Sequence, residues 1–193
     1  MRIFVAGATG VVGVPLVKEL VAAGHDVAGM TRSPSKVDLL RELGAVPVVC
    51  DVYDSEALVA AVVDFGPDVI VHELTDLPDD ASRIAEFSQA NSRIRQVGTR
   101  NLIAAAQASG VSRFVAQSVA WPVPGPGGAA VEEHEQAVLA IGGVVVRYGM
   151  FYGPGTYHEN DLPEPPRIHV DEAARRTVPA LRARSGIITI VDD

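Results

Sequence analysis

Hydrophobic residues along the chain fall into short runs rich in valine, isoleucine and phenylalanine, and between these runs they recur at helical spacing. The short runs predict strands at 2–6, 26–30, 46–50, 68–72, 113–117, 143–148 and 186–191. The longer segments predict helices at 11–23, 34–43, 55–65, 81–108, 130–141 and 170–183. Strands that alternate with helices without a gap are typical of a parallel sheet with helices on both faces.

This alternation predicts an α/β fold, a Rossmann-type doubly wound parallel sheet flanked by helices, in which the strands are buried on both faces. We expect a single domain over 1–193, because domains typically contain about 50 to 250 residues. Two stretches rich in proline and glycine break the alternation, WPVPGPGG at 121–128 and GPGTYHENDLPEPP at 153–166. They are interpreted either as cleft loops at about 121–130 and 150–168 or as plain surface connections.

The sequence VAGATGVVGV at 5–14 places three glycines between the first predicted strand and the first predicted helix. Gly7 allows a sharp turn off the strand, Gly10 allows backbone N–H groups to approach a diphosphate, and Gly13 allows the helix to pack close to the strand. The N-terminus of the helix adds partial positive charge. The loop therefore predicts dinucleotide binding. The residues expected to contact the dinucleotide here are Gly7, Thr9, Gly10, Val11, Val12 and Gly13.

The second predicted strand ends in GMTRSPSK, at the place where NAD-binding versions of this fold carry an acidic residue for the ribose 2′-hydroxyl. Arg32, with Ser33 and Lys36 nearby, is suited instead to a 2′-phosphate. The sequence therefore favours NADP(H) over NAD(H) as the cofactor. The alternative interpretation of Arg32 is a solvated loop arginine.

The next two predicted strands also end in candidate cofactor contacts. Asp51 follows the third strand and is placed to bind the adenine amino group, and Val52 is placed to pack on the adenine ring. The fourth strand ends in HELTD, and Leu74 and Thr75 are expected to run past the middle of the cofactor.

Together these residues resemble the short-chain dehydrogenase/reductase superfamily, in particular its NAD-dependent epimerase/dehydratase branch. Three stretches carry this resemblance. The fourth helix and fifth strand of the family resemble 98–120, its sixth strand and the following loop resemble 144–156, and its late helix resembles 169–181. The resemblance covers nearly the whole chain. It implies NAD(P) in the crevice, Tyr148 beside the cofactor, a minimal C-terminal substrate region, and redox or epimerase chemistry on a small metabolite.

The sequence departs from the family at the residues that do redox chemistry. Redox members use a Tyr-x-x-x-Lys pair, in which the lysine lowers the pKa of the tyrosine and the phenol exchanges a proton with the substrate oxygen. By resemblance, Gly127 and Val131 occupy these two positions. The serine pair of the family is Ser118 followed by Val119, and Arg95 replaces an asparagine of the fourth helix.

The candidate catalytic residues are Ser118, His134 and Tyr152. Imidazole titrates near neutrality, and the acidic EEHE sequence is expected to raise the pKa of His134; the alternative is a solvated helix start. Tyr152 offers a hydroxyl or packs against the nicotinamide. Further acid–base candidates near the expected cleft are Glu132, Glu133, Tyr157 and His158. No metal site is expected, because the adjacent residues of YHEND at 157–161 lack the spacing of metal ligands.

Three functions remain open at this point. The first is an atypical NADP(H)-dependent oxidoreductase or epimerase in which a substitute residue or water handles the proton. The second is a non-redox isomerase, lyase or cyclase that uses the same cleft. The third is an NADP(H)-sensing binding protein. By resemblance, two copies of the chain are expected to pair through the helices at 81–108 and 130–141.

Composition and charge narrow the classes of function. The net charge of −8 disfavours nucleic-acid binding, which relies on clustered lysine and arginine. The single cysteine, Cys50, excludes an internal disulfide and is expected to be a small buried residue. No apolar stretch reaches the roughly 18 residues of a membrane span, and glycines interrupt the start too early for a signal peptide. We therefore expect a cytoplasmic protein that binds a small-molecule substrate.

Overall fold

The computed structural model describes residues 1–192 and contains a parallel sheet of seven strands. In chain order the strands are β1 (Arg2–Ala6), β2 (Asp26–Thr31), β3 (Val46–Val49), β4 (Val69–His72), β5 (Arg113–Val119), β6 (Val144–Tyr148), β7 (Met150–Tyr152), β8 (Arg167–His169) and β9 (Gly186–Ile190). The large sheet has the order β3-β2-β1-β4-β5-β6-β9, and β7 pairs with β8 separately. The predicted Rossmann-type sheet is confirmed. Its strand order reverses between β1 and β4, where the ligand crevice of such sheets lies.

The helices cover both faces of the sheet. They are α1 (Gly13–Ala22), α2 (Val37–Glu42), α3 (Ser55–Phe65), α4 (Ser88–Arg93), α5 (Thr99–Ser109), α6 (Gly125–Ala140) and α7 (Val170–Thr177). Three 3-10 segments (Pro34–Lys36, Ala81–Phe87, Val178–Arg182) and a π-helix (Ile94–Gly98) complete the regular structure. None of the helices in 1–192 is both long enough and apolar enough to cross a membrane.

The hydrophobic core lies in two layers, one on each face of the sheet. Alternate residues of β1 supply both: Ile3 and Val5 pack on the side of α1 and α7, whereas Phe4 packs on the side of α3 and α5. Full burial of each such side chain contributes about 1.5–3 kcal/mol. The central strands are buried on both faces, as predicted. The prediction is wrong for the edge strands β3 and β9, where Val46 is 57% and Ile187 is 45% exposed, because the helices cover the centre of the sheet.

The helix predicted at 130–141 begins earlier, at Gly125, so the predicted cleft loop at 121–130 is wrong from that residue onward. Pro126 fits in the first turn of α6, where its missing N–H costs no hydrogen bond. A methyl group on Gly128 would lie 2.0 Å from the carbonyl oxygen of Val123, so a glycine is needed for this tight entry into the helix. The residues that indicated a loop therefore start a helix.

Two other predicted helices are subdivided. The segment 81–108 consists of a 3-10 segment, α4, the π-helix and α5, and the π-helix places Ile94 in the wall of the cleft described below. The segment 170–183 is α-helical only up to Thr177, since Pro179 cannot continue the backbone hydrogen bonding. The segment 153–166 has no helix or strand, as predicted, but the cleft loop predicted at about 150–168 is wrong at its two ends, where β7 and β8 pair with each other.

Candidate functional site

The glycine turn between β1 and α1 is built by close backbone contacts. Gly7 has a φ of +90°, and a Cβ atom there would lie 2.7 Å from the carbonyl carbon of Glu73. A Cβ atom on Gly13 would lie 2.1 Å from the carbonyl oxygen of Gly7. On Gly10 the same atom would lie 3.3 Å from that oxygen, a contact that a small shift relieves. The fold therefore requires Gly7 and Gly13, whereas Gly10 leaves open space for a ligand.

The N-terminus of α1 is free to receive an anion. No side chain of the described chain caps this helix, and its first turn contains no acidic residue. Val12 precedes the helix and its side chain is buried in the core, whereas the side chain of Val11 is 46% exposed. The backbone N–H groups of both residues lie at the start of α1, where a ligand could bind them. Uncapped N–H groups with the dipole of the helix behind them bind phosphate groups well.

A cleft opens at the carboxyl edge of the sheet above this turn. Eight of the predicted cofactor residues line it: Gly7, Thr9, Gly10, Arg32, Asp51, Val52, Leu74 and Thr75. It is also lined by residues that the sequence did not single out as cofactor contacts: Met30, Thr31, Cys50, Tyr53, Glu73 and Ile94. Most of these lie at the ends of β2, β3 and β4, so the rule that ligands bind at strand ends could have found them. Ser33 lies outside the lining and contacts Ser35.

Arg32 forms an ion pair across the entrance of the cleft. Its Nη2 atom lies 3.1 Å from Asp76 Oδ1, and the Arg32 side chain is 64% exposed whereas that of Asp76 is 15% exposed. Asn91 holds Asp76 in place, because its Oδ1 accepts a hydrogen bond from the Asp76 N–H at 3.2 Å. The exposed guanidinium can turn toward a bound phosphate, whereas the Asp76 carboxylate is largely buried.

Tyr53 lines the cleft beside Asp51, and Arg93 packs on its ring. The guanidinium carbon of Arg93 lies 4.2 Å from the centre of the Tyr53 ring. The Tyr53 hydroxyl is buried without a hydrogen-bond partner among residues 1–192. Burial raises the pKa of this phenol. The Asp51 carboxylate accepts a hydrogen bond from the Tyr53 N–H at 2.9 Å, which fixes the turn after β3.

Tyr148 lies behind the cleft rather than in its lining. It is 1% exposed, and its hydroxyl lies 2.6 Å from Thr177 Oγ1 and 3.2 Å from Glu73 Oε1. Glu73, which does line the cleft, is itself 4% exposed, and burial raises its pKa to about 8. The second carboxyl oxygen of Glu73 has no partner in the described residues. The structure therefore places Glu73 between Tyr148 and the cleft.

His134 is buried and does not reach the cleft. Its Nε2–H donates to the Gln117 carbonyl oxygen at 2.8 Å, so its Nδ1 accepts a hydrogen bond from the Thr99 hydroxyl at 2.7 Å. Thr99 in turn accepts from His72 Nε2–H at 3.0 Å. Burial lowers the pKa of His134 to about 4, so the expectation of a raised pKa is wrong. The catalytic role of His134 stays a prediction, and this geometry does not favour it.

Ser118 is also occupied by partners inside the protein. Its hydroxyl donates to Glu135 Oε1 at 2.5 Å, and Arg147 binds the same carboxylate through two hydrogen bonds of 2.9 and 2.5 Å. Burial would raise the pKa of Glu135, but the hydrogen bonds from Arg147 and Ser118 outweigh this effect and lower it. A carboxylate of low pKa is a weak base, so Glu135 does not activate Ser118 as a nucleophile.

The remaining candidates lie around the segment 153–166. Tyr152 donates its hydroxyl proton to Asp192 at 2.9 Å and contacts the His169 ring edge to face, so its hydroxyl is held away from the cleft. Tyr157 donates to the carbonyl oxygen of Pro78, which joins this segment to the loop after β4. His158 pairs with Asp161 at 3.1 Å. On α6, Glu132 is exposed and Glu133 accepts a hydrogen bond from Gln96. The described residues contain no group of three or more side chains arranged to hold a metal ion.

A protein family known for NAD(P)H binding matches residues 7–140, which include the glycine turn and every residue that lines the cleft. The chain belongs to this NAD(P)H-binding family. The match confirms that the G-x-x-G-x-x-G turn marks a nicotinamide dinucleotide domain. It does not distinguish NAD from NADP.

Two relatives of this NAD(P)H-binding protein bear the names of redox enzymes. It is 37% identical to a 3-diazoavenalumate denitrifying reductase of a Streptomyces species, in an alignment that covers 100% of this chain and 76% of the reductase. It is 36% identical to a 3-beta-hydroxysteroid dehydrogenase of Mycolicibacterium neoaurum over 59% of this chain and 31% of the dehydrogenase. The first alignment spans the whole candidate site, and the second spans less than a third of its relative.

Solved structures of epimerases share the fold. The UDP-glucose 4-epimerase of Thermotoga maritima superposes with a TM-score of 0.80 at 19% identity, over 99% of this chain and 77% of that enzyme. The UDP-glucose 4-epimerase of Thermus thermophilus, solved with NAD, gives a TM-score of 0.80 at 21% identity, over 99% and 78%. These structures confirm the resemblance to the epimerase/dehydratase branch at the level of the fold.

Proposed function

We propose that this protein is an NADP(H)-dependent reductase that transfers hydride to a small electrophilic substrate. The observation that carries the proposal is the cleft itself: an uncapped helix N-terminus and a glycine turn face a cavity whose entrance holds an exposed arginine. The likeness to a reductase along the whole chain supports a redox role. Hydride chemistry belongs to the nicotinamide when it is bound, and the protein binds and orients it.

Arg32 supports NADP(H) as the cofactor. It lies at the end of β2, where it lines the cleft, and its guanidinium is 64% exposed and can bind a 2′-phosphate through paired hydrogen bonds. Asp51 is engaged in the turn after β3, and the Asp76 carboxylate is paired with Arg32 itself. The adenosine end of the cleft thus offers a cation rather than a free carboxylate.

The absence of the family's Tyr/Lys pair points to the type of substrate. Helix α6, which resembles the helix that carries the family's Tyr and Lys, contains neither residue type, and Ser118 is bonded to Glu135. A substrate that needs no proton would not require the pair. An aryl diazonium cation is such a substrate: hydride adds to the cation, the C–N bond breaks, and the products are the arene, dinitrogen and NADP⁺, with atoms and charge in balance. The diazo compound in the name of the Streptomyces relative fits this chemistry.

The segment 153–166 does not line the cleft but is joined by Tyr157 to the loop after β4, and its charge would favour a cationic or neutral substrate that approaches along it. It contains Glu159, Asp161 and Glu164 and has no lysine or arginine. The diphosphate of a nucleotide sugar would be repelled by these carboxylates, so the substrates named for the epimerase neighbours fit this segment poorly.

The test is to mix the purified protein with NADPH and, in separate reactions, an aryl diazonium salt, a panel of ketones and UDP-glucose. We expect NADPH oxidation and dinitrogen release with the diazonium salt, above the rate without protein and above the rate of an Arg32→Gln variant at low NADPH. Product formation without NADPH oxidation would instead support the non-redox isomerase or lyase. Tight NADPH binding without any product would support the sensing protein.

A further inference from the structure

Glu73 is an unusual residue for a nucleotide cleft. It follows β4 at the point where the strand order reverses, and its own peptide forms the wall against Gly7, because a Cβ on Gly7 would lie 2.7 Å from its carbonyl carbon. Its side chain is almost fully buried, and Oε2 has no hydrogen-bond partner in residues 1–192. A buried carboxylate without a cation beside it is costly, so the protonation state of Glu73 needs an explanation.

The hydrogen-bond directions around Glu73 indicate a neutral acid. Thr177 donates its only proton to the carbonyl oxygen of Ala173 at 2.7 Å, so at its 2.6 Å contact with Tyr148 it accepts. Tyr148 therefore donates its only hydroxyl proton to Thr177. The remaining contact, 3.2 Å between the Tyr148 oxygen and Glu73 Oε1, is satisfied when Glu73 Oε1 carries the proton.

Within residues 1–192, no cation offsets a charge on the Glu73 carboxyl group. From β6 Glu73 faces the Tyr148 hydroxyl, from α7 the uncharged Thr177, and from the turn before α1 the Gly7 backbone. Burial is the dominant cause of the raised pKa of Glu73, about 8. The hydrogen-bond geometry and the raised pKa both indicate that Glu73 is a neutral carboxylic acid at neutral pH.

We propose that Glu73 must be a neutral carboxylic acid for the dinucleotide to bind, and that ionisation of Glu73 releases the dinucleotide from the cleft. The inference rests on the proposed nucleotide binding. The diphosphate would lie on the turn that contains Gly7 and Gly10, next to the peptide of Glu73. A negative charge on this buried residue would repel the diphosphate in a poorly screened environment, and an interaction of about 1.4 kcal/mol is already a tenfold loss of affinity.

The test is a titration of NADPH and of NADH from about pH 7 to about pH 9.5, a range in which the 2′-phosphate, with a second pKa near 6, stays fully ionised. We expect both dissociation constants to rise above about pH 8, approaching about tenfold per pH unit. Glu73→Gln, a neutral side chain of the same shape, should keep the affinity of neutral pH throughout. Glu42→Gln, an equal change of charge on exposed α2, should behave as the wild type.

A second measurement keeps the inference testable if Glu73→Gln does not fold. The infrared C=O band of a protonated carboxylic acid should be present in the wild-type protein at neutral pH and should disappear with the same midpoint as the affinity. An affinity that is independent of pH, or a midpoint that differs from that of the band, would overturn the role of Glu73 while leaving the proposed function intact. Absence of nucleotide binding at every pH would overturn the proposed function, and the inference with it.

Discussion

The guanidinium of Arg32 lies 3.1 Å from the carboxylate of Asp76, and this ion pair joins the ends of β2 and β4 across the intervening strand β1. The pair closes the side of the cleft at which the adenosine ribose of a dinucleotide would lie. A 2′-phosphate would compete with Asp76 for the same guanidinium. With Arg32 as the proposed 2′-phosphate ligand, Asp76 should act as an internal competitor of the phosphate and lower the affinity for NADPH.

Substitutions of this pair should change the affinity for NADPH without changing that for NADH. Asp76→Asn frees the guanidinium, so we expect NADPH to bind several-fold more tightly. Arg32→Gln removes a charged hydrogen bond of about 1.5–3 kcal/mol, so NADPH should bind roughly tenfold or more weakly. Isothermal titration calorimetry with both nucleotides measures the two effects. Arg41→Gln, which breaks the exposed pair with Asp38 on α2, is the control and should change neither affinity. Equal effects on NADH and NADPH would contradict the assignment of Arg32.

The three glycines of the turn should separate into two classes. Gly13→Ala places a methyl group 2.1 Å from the Gly7 carbonyl oxygen. Overpacking of this kind typically lowers the free energy of unfolding by about 1–3 kcal/mol or more, and we expect a loss of that size. Gly10→Ala meets the nearest atom only at 3.3 Å and should fold normally. It should instead weaken nucleotide binding, because its methyl group occupies the space of the diphosphate.

Urea denaturation of the two glycine variants with and without NADPH measures both effects. Gly24→Ala is a matched control, because Gly24 has a φ of +77° and no atom within 4 Å of the added methyl group. It should cost only backbone strain, about 1 kcal/mol, and should leave nucleotide affinity unchanged. Normal stability of Gly13→Ala would show that the close contact at this position can relax.

The fold and the nucleotide cleft could largely be predicted from the sequence because both depend on local patterns. Strand-like apolar runs alternate along the chain with segments of helical periodicity. The three spaced glycines lie directly between the first predicted strand and the first predicted helix. The α6 start was missed because Pro126 and Gly128 are common in loops, yet both suit the first turn of this helix. The need for glycine at position 128 becomes clear only from the close approach of the Val123 carbonyl oxygen in the structure.

The polar networks could not be predicted, because they depend on contacts between distant parts of the chain. Glu73 is 75 residues from Tyr148, and nothing in HELTD indicates that its carboxyl group turns inward. His134 lies between acidic neighbours in the sequence, which suggested a raised pKa. On the helix, however, Glu132 and Glu133 point to solvent while His134 points to Gln117, so burial decides its pKa.

The buried histidine should make the protein less stable in mild acid. The folded-state pKa of His134 is about 4, below its ordinary value of 6.5, so the unfolded chain binds a proton that the folded protein does not. The contribution of His134 to the free energy of unfolding should therefore fall as the pH decreases from about 6.5 to about 4. His134→Gln should flatten this decrease, whereas His158→Gln, a change at a more exposed histidine, should not. An unchanged slope in His134→Gln would contradict the assignment.

The ion pair between Arg147 and Glu135 should contribute more to stability than the exposed pairs of the surface. The Glu135 side chain is 8% exposed, so Arg147→Met would leave a carboxylate in the interior with only Ser118 as a partner. We expect a loss of about 2 kcal/mol, less than the about 3–5 kcal/mol of a fully buried pair, since the Arg147 side chain is 40% exposed. Arg175→Met breaks an exposed pair with Glu172 on α7, which keeps Arg176 as a partner, and should cost far less. Chemical denaturation of both variants at neutral pH measures the difference, and equal losses would show that burial of Glu135 has no energetic consequence.

Ser118, at the end of β5, donates a hydrogen bond to the Glu135 carboxylate. Arg147→Met should therefore also make the end of β5 less rigid while leaving the affinity for NADPH unchanged. This outcome would support a structural role for Ser118, Glu135 and Arg147 rather than a catalytic one.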